Sequence, residues 1–247
     1  MQNLKPCHVI RHGPPLAETP NRIVTEIEKI KAERVARFKD VDIYPVTCEE
    51  LSNGRSDVDV LENVIEGGAR IVQLRDKSLP VRALYEKAVV FREITQAHNV
   101  LLIMNDHIDI AMAINADGVH LGQDDFPVRA ARQLIPDKII GNSTHSLEDA
   151  LRAAGEGADY INIGPIFPTQ TKVGLSRFLG PEMIGVVAPR ISLPFTVMGG
   201  ITAGNIDQVL AAGARRIAVV TAITKAESIA DVVRQLRERI LVEETVY

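Results

Sequence analysis

Short apolar bursts recur along the chain from residue 41 onward, and a stretch of amphipathic, helical character follows most of them. Each burst is rich in β-branched residues and too short for a helix, so it predicts a buried strand. Residues 81–98 and 203–212 are examples of the predicted helices between strands. The bursts are DIYPVT (42–47), RIVQLR (70–75), VLLIMN (100–105), DGVHLG (117–122), KIIGNS (138–143), DYINIG (159–164), FTVMGG (195–200) and RIAVVT (216–221).

This alternation of strands and helices implies parallel strands joined by right-handed crossovers. Eight such units within residues 41–247 fit a single α/β TIM (β/α)8 barrel. A doubly wound open sheet is the alternative. No G-x-G-x-x-G motif follows the first strand, which weighs against a dinucleotide-binding sheet. We therefore predict one barrel domain over residues 41–247.

Residues 1–40 differ from the rest of the chain. A lead-in interrupted by prolines precedes a charged segment, residues 21–39, in which Ile23, Ile27, Ile30, Val35 and Phe38 roughly follow a helical period. The pattern predicts an N-terminal extension with a surface helix that packs on the barrel or on a partner. We expect its removal to leave the chemistry intact and to act on assembly or solubility.

A short phrase recurs just before predicted strands. It reads INADGV at 114–119, EGADYI at 156–161 and AAGARRI at 211–217. A glycine or asparagine followed by a strand is typical of a helix that ends in a left-handed residue. The phrase therefore supports the repeating βα unit and carries no chemistry of its own.

Composition and charge exclude several classes of protein. The net charge of −4 gives no general attraction to nucleic acids or anionic membranes, and Trp is absent with aromatics at 4%, which argues against base stacking. No apolar run approaches a transmembrane length, and the N-terminus lacks a signal-peptide core. Cys7 and Cys48 have no paired spacing for a disulfide framework or a zinc site. We predict a cytoplasmic protein that binds neither nucleic acid nor membrane.

Polar residues cluster where the predicted strands end, which is the active face of such a barrel. Asn105 and Asp106 end the third strand, and Asp124 and Asp125 follow the fourth. One such acid alone is often a turn or a helix cap. Two carboxylates that converge need a cation or a proton between them, and Mg²⁺ commonly takes one or two carboxylates beside substrate phosphates.

Cationic residues at other strand ends change the chemistry that these carboxylates indicate. Arg75 and Lys77 follow the second strand, and Lys172 follows the sixth. Carboxylates alone would fit proton transfer, but carboxylates among several cations favour a metal-bound polyphosphate. Gly199-Gly200 and the start of the segment after the eighth strand match the usual phosphate site of this barrel, where backbone N–H groups meet the anion. The sequence thus predicts two anion sites, while His120 and His145 remain either structural or functional.

Taken together, the motifs resemble those of the thiamine phosphate synthase family, from about residue 42 to residue 226. The matching segments are QLRDK (73–77), ND (105–106), ADGVHLGQDD (116–125), GNSTHS (141–146), GADYINIGPIFPTQTK (157–172), GGI (199–201) and AVVTAI (218–223). Enzymes of this family join a hydroxymethylpyrimidine diphosphate to a thiazole phosphate, or its carboxylated form. They release pyrophosphate and form thiamine phosphate.

The resemblance implies that the barrel is a catalytic domain. It also implies roles for the following matching residues. Asp106 and Asp125 would hold Mg²⁺, and Ser143 and Lys172 would be catalytic, with Ser143 near the reacting methylene and the bridging oxygen. The pyrimidine diphosphate would be bound by Gln73, Arg75, Lys77, Asn105 and Lys172. The thiazole phosphate side would be formed by Thr169, Thr171, Gly200 and Thr221, with Val220 also in the substrate-binding set.

Two other functions stay open at this point. A thiazole tautomerase-like enzyme on the same barrel would transfer protons and would need no diphosphate machinery. A non-catalytic sensor that binds thiamine phosphates would be expected to lack part of the metal set. The full set of cations and acids favours the synthase. The loop after Lys172, VGLSRFLGPE, departs from the family's usual Ala-Pro-containing loop, and a homo-oligomer is compatible with the sequence.

Overall fold

The structure is a computed structural model that describes residues 19–169 and 178–245. In these residues, eight parallel strands form one sheet in the order β1-β8-β7-β6-β5-β4-β3-β2. A bridge between Val46 and Gln73 brings β1 beside β2, and the Thr47 N–H donates to the Gln73 carbonyl at 3.0 Å. The strands are β1 (Ile43–Pro45), β2 (Ile71–Leu74), β3 (Leu101–Asn105), β4 (Gly118–Leu121), β5 (Ile139–Thr144), β6 (Tyr160–Ile163), β7 (Phe195–Val197) and β8 (Ile217–Val219). The predicted (β/α)8 barrel and all eight predicted strands are confirmed.

Helices follow the strands around the outside of the barrel. The prediction of helices at 81–98 and 203–212 is confirmed by α3 and α8, although α8 begins later than predicted. In the described part of the chain the helices are α1 (Thr19–Lys39), α2 (Asp57–Glu66), α3 (Val81–Ala97), α4 (Ile108–Ala113), α5 (Val128–Leu134), α6 (Leu147–Glu156), α7 (Glu182–Val187), α8 (Ile206–Ala211), α9 (Thr221–Thr224) and α10 (Ile229–Thr245). None of them has both the length and the apolar character that crossing a bilayer requires.

The recurring phrase before strands does end helices in left-handed residues. Asn115 follows α4 with a φ of 51°, Gly157 ends α6 with a φ of 98°, and Gly213 follows α8 with a φ of 98°. This conformation reverses the chain so that it enters the next strand at once. The helix ends therefore set the spacing of the βα repeat.

Apolar side chains form two layers, one between strands and helices and one inside the barrel. Because side chains alternate along a strand, Val72 and Leu74 pack toward the helices while Ile71 and Gln73 lie on the opposite face. The inner layer contains Tyr44 and Tyr160, which are almost fully buried. Such a barrel is a packed core, and the site lies at its open end.

Helix α1 closes the amino-terminal end of the barrel. Its last turn inserts Phe38, 1% exposed, whose ring stacks on Tyr160 with 4.3 Å between the centroids. Arg34 pairs with Asp137 at 2.6 Å, and Lys31 pairs with Asp159 at 3.0 Å, just before β5 and β6. The predicted helix is thus confirmed and packs on the barrel, but its end is part of the core and not only a surface element.

Candidate active site

A cavity of about 230 Å³ opens where the carboxyl ends of the strands meet. It brings together the predicted site residues from seven different strand ends. These are Gln73, Arg75, Lys77, Asn105, Asp106, Asp125, Ser143, Thr169, Gly200, Val220 and Thr221. Thr171 and Lys172 lie in 170–177, outside the described residues.

Two carboxyl groups, those of Asp106 and Asp125, lie within hydrogen-bonding reach of each other in this cavity. Burial and the neighbouring Asp125 raise the pKa of Asp106, although Lys77 opposes the change. Burial also acts to raise the pKa of Asp125, but its hydrogen bonds with Asp106 and the Gly122 N–H, the latter at 2.7 Å, lower it overall. The pair therefore carries electrostatic repulsion that a proton or a cation would relieve.

The backbone conformation of Asp106 also indicates a functional site. Asp106 has a φ of 62°, in the left-handed region that few residues other than glycine adopt. Its N–H donates to the His120 carbonyl at 2.9 Å, which fixes the turn against β4. Backbone strain of this kind persists where the surrounding structure holds it, and it is concentrated at functional sites. The turn presents the Asp106 carboxylate to the cavity.

The donor set suits a divalent cation such as Mg²⁺. Two carboxylates from adjacent strand ends would supply hard oxygen ligands of the kind that Mg²⁺ takes, and the open cavity would leave room for water and phosphate oxygens. In this structure the Lys77 ammonium pairs with Asp106 and partly neutralises the carboxylates. Lys77 is 52% exposed and long, so it can exchange that partner for an anion.

A second ionic cluster lies behind the loop that carries Arg75 and Lys77. The Lys87 ammonium contacts Glu49 and Asp57 at 2.7 Å each and Asp76 at 3.0 Å. Burial alone would raise the pKa of Asp76, but Lys87 and the groups of the following turn bring it down to about 2. Because the Lys87 ammonium already contacts all three carboxylates, we interpret the cluster as an anchor for the loop and not as a metal site.

The anchor makes a pH-dependent prediction for Lys87→Met. The folded-state pKa of Asp76 lies below the value of about 3.9 in unfolded chains, so its ionised form stabilises the fold above that pH. We expect Lys87→Met to lower the free energy of unfolding by about 2 kcal/mol at pH 7. The deficit should shrink as the pH falls from about 4 toward 2, because protonation removes the repulsion among the carboxylates.

Denaturant unfolding at pH 7 and at pH 3 measures the loss of stability caused by Lys87→Met. Arg82→Met is the control, because Arg82 lies on the same helix and forms an exposed pair with Glu86 at 3.9 Å. We expect that control to change stability by less than about 0.5 kcal/mol. An equal loss for Lys87→Met at pH 7 and pH 3 would assign the effect to packing and not to charge.

Glycines shape the opposite side of the cavity. Gly199 and Gly200 have φ values of 109° and 61°, and a Cβ at Gly200 would overlap the Pro168 carbonyl oxygen. Asn205 donates to the Gly200 carbonyl at 2.9 Å and holds the turn. Thr221 begins α9 directly after β8 on the same side. Gly200 therefore lets the turn pack closely against Phe167 and Pro168, and that this turn binds a phosphate stays a prediction.

Sequence reasoning missed several polar groups of the barrel interior. Tyr44 and Tyr160 lie within apolar bursts, so the local sequence of each predicts only a core residue. The sequence leaves His120 open between a structural and a functional role. It lies between the Tyr160 hydroxyl and the Ser143 hydroxyl, 2.9 Å from each. The alternation that places Gln73 inward could have flagged Tyr44, since both lie on inward-facing positions of neighbouring strands.

A family model, curated relatives and a solved structure all give similarity to the same family of proteins. The family model described as "Thiamine monophosphate synthase" matches residues 43–223. Thiamine-phosphate synthase of Pelotomaculum thermopropionicum is 46% identical over 209 residues, covering 84% of this chain and 96% of the relative. The same-named protein of Dictyoglomus turgidum is 40% identical over 207 residues, covering 83% and 93%. A thiamine phosphate pyrophosphorylase structure from Pyrococcus furiosus has a TM-score of 0.76 at 34% identity, covering 82% of this chain and 96% of that one.

Proposed function

We propose how this chain works from one premise, that it belongs to the thiamine monophosphate synthase family. The chain is a transferase that forms thiamine phosphate. Its substrates are small phosphorylated molecules, which we propose are a hydroxymethylpyrimidine diphosphate and a thiazole phosphate. The observation that carries the detailed proposal is the convergence of Asp106, Asp125, Arg75 and Lys77 in one cavity opposite the glycine turn at Gly200.

The leaving diphosphate is assigned to the side of the cavity that carries the acids and cations. Asp106 and Asp125 would hold Mg²⁺, and the bound ion would supply positive charge to the diphosphate. Arg75 and Lys77 add fixed positive charge from the loop that Lys87 anchors, and Lys172 is proposed to do the same from the segment after β6. Asn105 is proposed to donate to a phosphate oxygen, and Gln73 to orient the aminopyrimidine ring.

The reaction requires no covalent protein nucleophile. The bond between the pyrimidine methylene and the bridging oxygen breaks, and its electron pair leaves with the diphosphate. The electron-rich aminopyrimidine ring stabilises the positive charge that develops on the methylene. The lone pair of the thiazole nitrogen then forms the new C–N bond. The protein contributes charge stabilisation at the leaving group and proximity for the second substrate, and Ser143 lies near the bridging oxygen in this assignment.

The thiazole phosphate is assigned to the side lined by Thr169, Gly200, Val220 and Thr221, with Thr171 as a further group. A tautomerase-like enzyme would need one acid–base pair and no diphosphate site, so Arg75 and Lys77 favour the synthase. A non-catalytic sensor is disfavoured because both acids and their neighbouring cations are present together. A cytoplasmic location and the absence of nucleic-acid and membrane partners stay predictions, as does the oligomeric state.

A direct assay tests the proposed function. Purified protein is mixed with both substrates and Mg²⁺, and thiamine phosphate and pyrophosphate are measured together. We expect the two products in equal amounts, with turnover abolished by a chelator and restored by added Mg²⁺. Turnover that continues in excess chelator would contradict the magnesium assignment. Isomerisation of the thiazole substrate without pyrophosphate release would favour the tautomerase alternative.

The glycine turn gives a prediction about the second substrate. A side chain at Gly200 meets Pro168 and an unfavourable φ, so Gly200→Ala should displace the turn from the phosphate. We expect the KM for the thiazole phosphate to rise about tenfold or more, with a smaller change for the pyrimidine substrate. Gly204→Ala is the matched control, since among the described residues a Cβ there meets only Thr202 Oγ1, at an ordinary 3.6 Å. An equal rise in both KM values would indicate general damage to the site.

A further inference from the structure

A chain of buried hydrogen bonds crosses the barrel interior and ends at Ser143. The Gln73 side-chain amide nitrogen lies 3.0 Å from the Tyr44 hydroxyl, which lies 3.0 Å from the Tyr160 hydroxyl. The Tyr160 hydroxyl lies 2.9 Å from His120 Nδ1, and His120 Nε2 lies 2.9 Å from Ser143 Oγ. We call these five residues, from β2, β1, β6, β4 and β5, the relay.

The packing around Tyr160 fixes the centre of the relay. Gly141 lies opposite Tyr160 in the β5–β6 register, and a Cβ at Gly141 would overlap the tyrosine ring. Phe38 stacks on the same ring from below at 4.3 Å. Tyr44, Tyr160 and Gln73 are at most 2% exposed, so their hydrogen bonds lie in the barrel interior. The hydroxyl of Tyr160 is therefore held at one position between Tyr44 and His120.

The direction of the hydrogen bonds follows from counting protons. The Gln73 amide nitrogen can only donate, so the Tyr44 hydroxyl accepts from it. In the described part of the chain, the other partner of that hydroxyl is Tyr160, so Tyr44 donates its single proton to Tyr160. Tyr160 must then donate to His120 Nδ1. The opposite direction would leave the Tyr44 proton buried without an acceptor, which is costly.

His120 transmits this direction to Ser143. Because Tyr160 donates to Nδ1, that nitrogen carries no proton and the ring is neutral. A neutral imidazole that accepts at Nδ1 carries its proton on Nε2 and donates it to Ser143 Oγ. Ser143 then has its own hydroxyl proton free to donate. Ser143 lines the cavity and is only half-buried, so that proton can meet a substrate oxygen.

We propose that Tyr44 and Tyr160 are positioning residues, which hold His120 as the tautomer protonated on Nε2 and thereby turn the Ser143 hydroxyl proton toward the substrate. This inference rests on the proposed function, in which Ser143 meets the bridging oxygen of the leaving diphosphate. A proton donated there stabilises the negative charge as the bond breaks. No proton needs to be transferred, since the hydroxyl acts through a hydrogen bond.

Nitrogen NMR of the substrate-free protein tests the tautomer without relying on activity. The full-length chain is labelled with 15N-histidine, and the ring signals of His120 are identified among the six histidines by their loss in His120→Gln. We expect the Nδ1 signal in the unprotonated range and the Nε2 signal in the protonated range near pH 7. The reverse pattern, or a doubly protonated ring, would overturn the relay even if the enzyme forms thiamine phosphate.

Kinetics of Tyr160→Phe test whether the relay acts through Ser143. We expect kcat to fall about tenfold while the KM for the pyrimidine diphosphate changes less than about twofold. In a Ser143→Ala background the same change should cost less than about twofold, because the group that it positions is gone. Equal losses in both backgrounds would show that Tyr160 acts structurally and would overturn the proposal.

Two further variants keep the kinetic test interpretable. Tyr85→Phe removes the hydroxyl of a 41%-exposed tyrosine on α3 and should leave kcat and the His120 signals unchanged. Tyr44→Phe interrupts the relay one residue earlier and should move kcat in the same direction as Tyr160→Phe. If Tyr160→Phe does not fold, Tyr44→Phe in both backgrounds gives the same comparison, and additive losses there would equally overturn the proposal.

Discussion

Replacing Asp106 or Asp125 by Asn should lower kcat by about 10²-fold or more. Each variant keeps the shape of the side chain but removes one of the two charges assigned to Mg²⁺. Asn is also tolerated at the left-handed φ of residue 106, so backbone strain is not added. Steady-state turnover at increasing Mg²⁺ measures the effect. We expect the Mg²⁺ concentration for half-maximal turnover to rise in both variants.

The fold should survive these substitutions, because each one relieves repulsion between two neighbouring carboxyl groups. Thermal unfolding of each variant therefore serves as the check that lost turnover reflects lost chemistry. Asp124→Asn is the matched control, since Asp124 is an exposed acid next to Asp125 and does not line the cavity. Unchanged turnover in Asp106→Asn and Asp125→Asn would reject the metal assignment.

Phe38→Ala should lower the free energy of unfolding by about 3–5 kcal/mol. The side chain is buried beneath Tyr160, at the amino-terminal end of the barrel, and its loss leaves a cavity that the surrounding strands cannot close without shifting. Ion pairs from Arg34 and Lys31 hold α1 against the barrel, so local collapse is restricted. Denaturant unfolding monitored at equilibrium measures the change.

Val24→Ala is the control on the same helix, because Val24 is 54% exposed. It should change stability by less than about 0.5 kcal/mol. A loss below about 1 kcal/mol for Phe38→Ala would mean that α1 is only a surface element, as the sequence first indicated. That residues 1–40 can be removed with the chemistry intact stays a prediction, and the buried Phe38 means that such a truncation also removes part of the core.

Most of the fold could be predicted because the local sequence of each strand indicates that strand. A short segment rich in β-branched residues, such as RIVQLR, indicates a buried strand by itself. Asn115 and Gly157, with left-handed backbone conformations, show where a helix ends before the next strand. The placement of Asp106, Asp125 and Ser143 at one end then follows from the barrel itself. The sequence could not show which side chains of the closed sheet would meet across its interior.

The missed features share one physical cause, which is long separation along the chain. Tyr44 and Tyr160 meet across 116 residues, and Lys87 joins carboxylates that are 11 to 38 residues away. The local sequence around each residue predicts an ordinary role, that of a core tyrosine or of a charged position on a helix. Only the closure of the barrel places them together. The roles of the individual site residues, including Thr171 and Lys172, remain proposals for the experiments above.

Barrels of this kind are commonly divided into a floor that maintains stability and a mouth that varies with chemistry. In this chain a column of rings and hydroxyls joins the two levels, from Phe38 through Tyr160 and His120 to Ser143. A substitution that moves the Phe38 ring would therefore also act on Tyr160 and, through the proposed relay, on Ser143. Variants that stabilise the amino-terminal end of the barrel should therefore be checked for turnover as well as for stability.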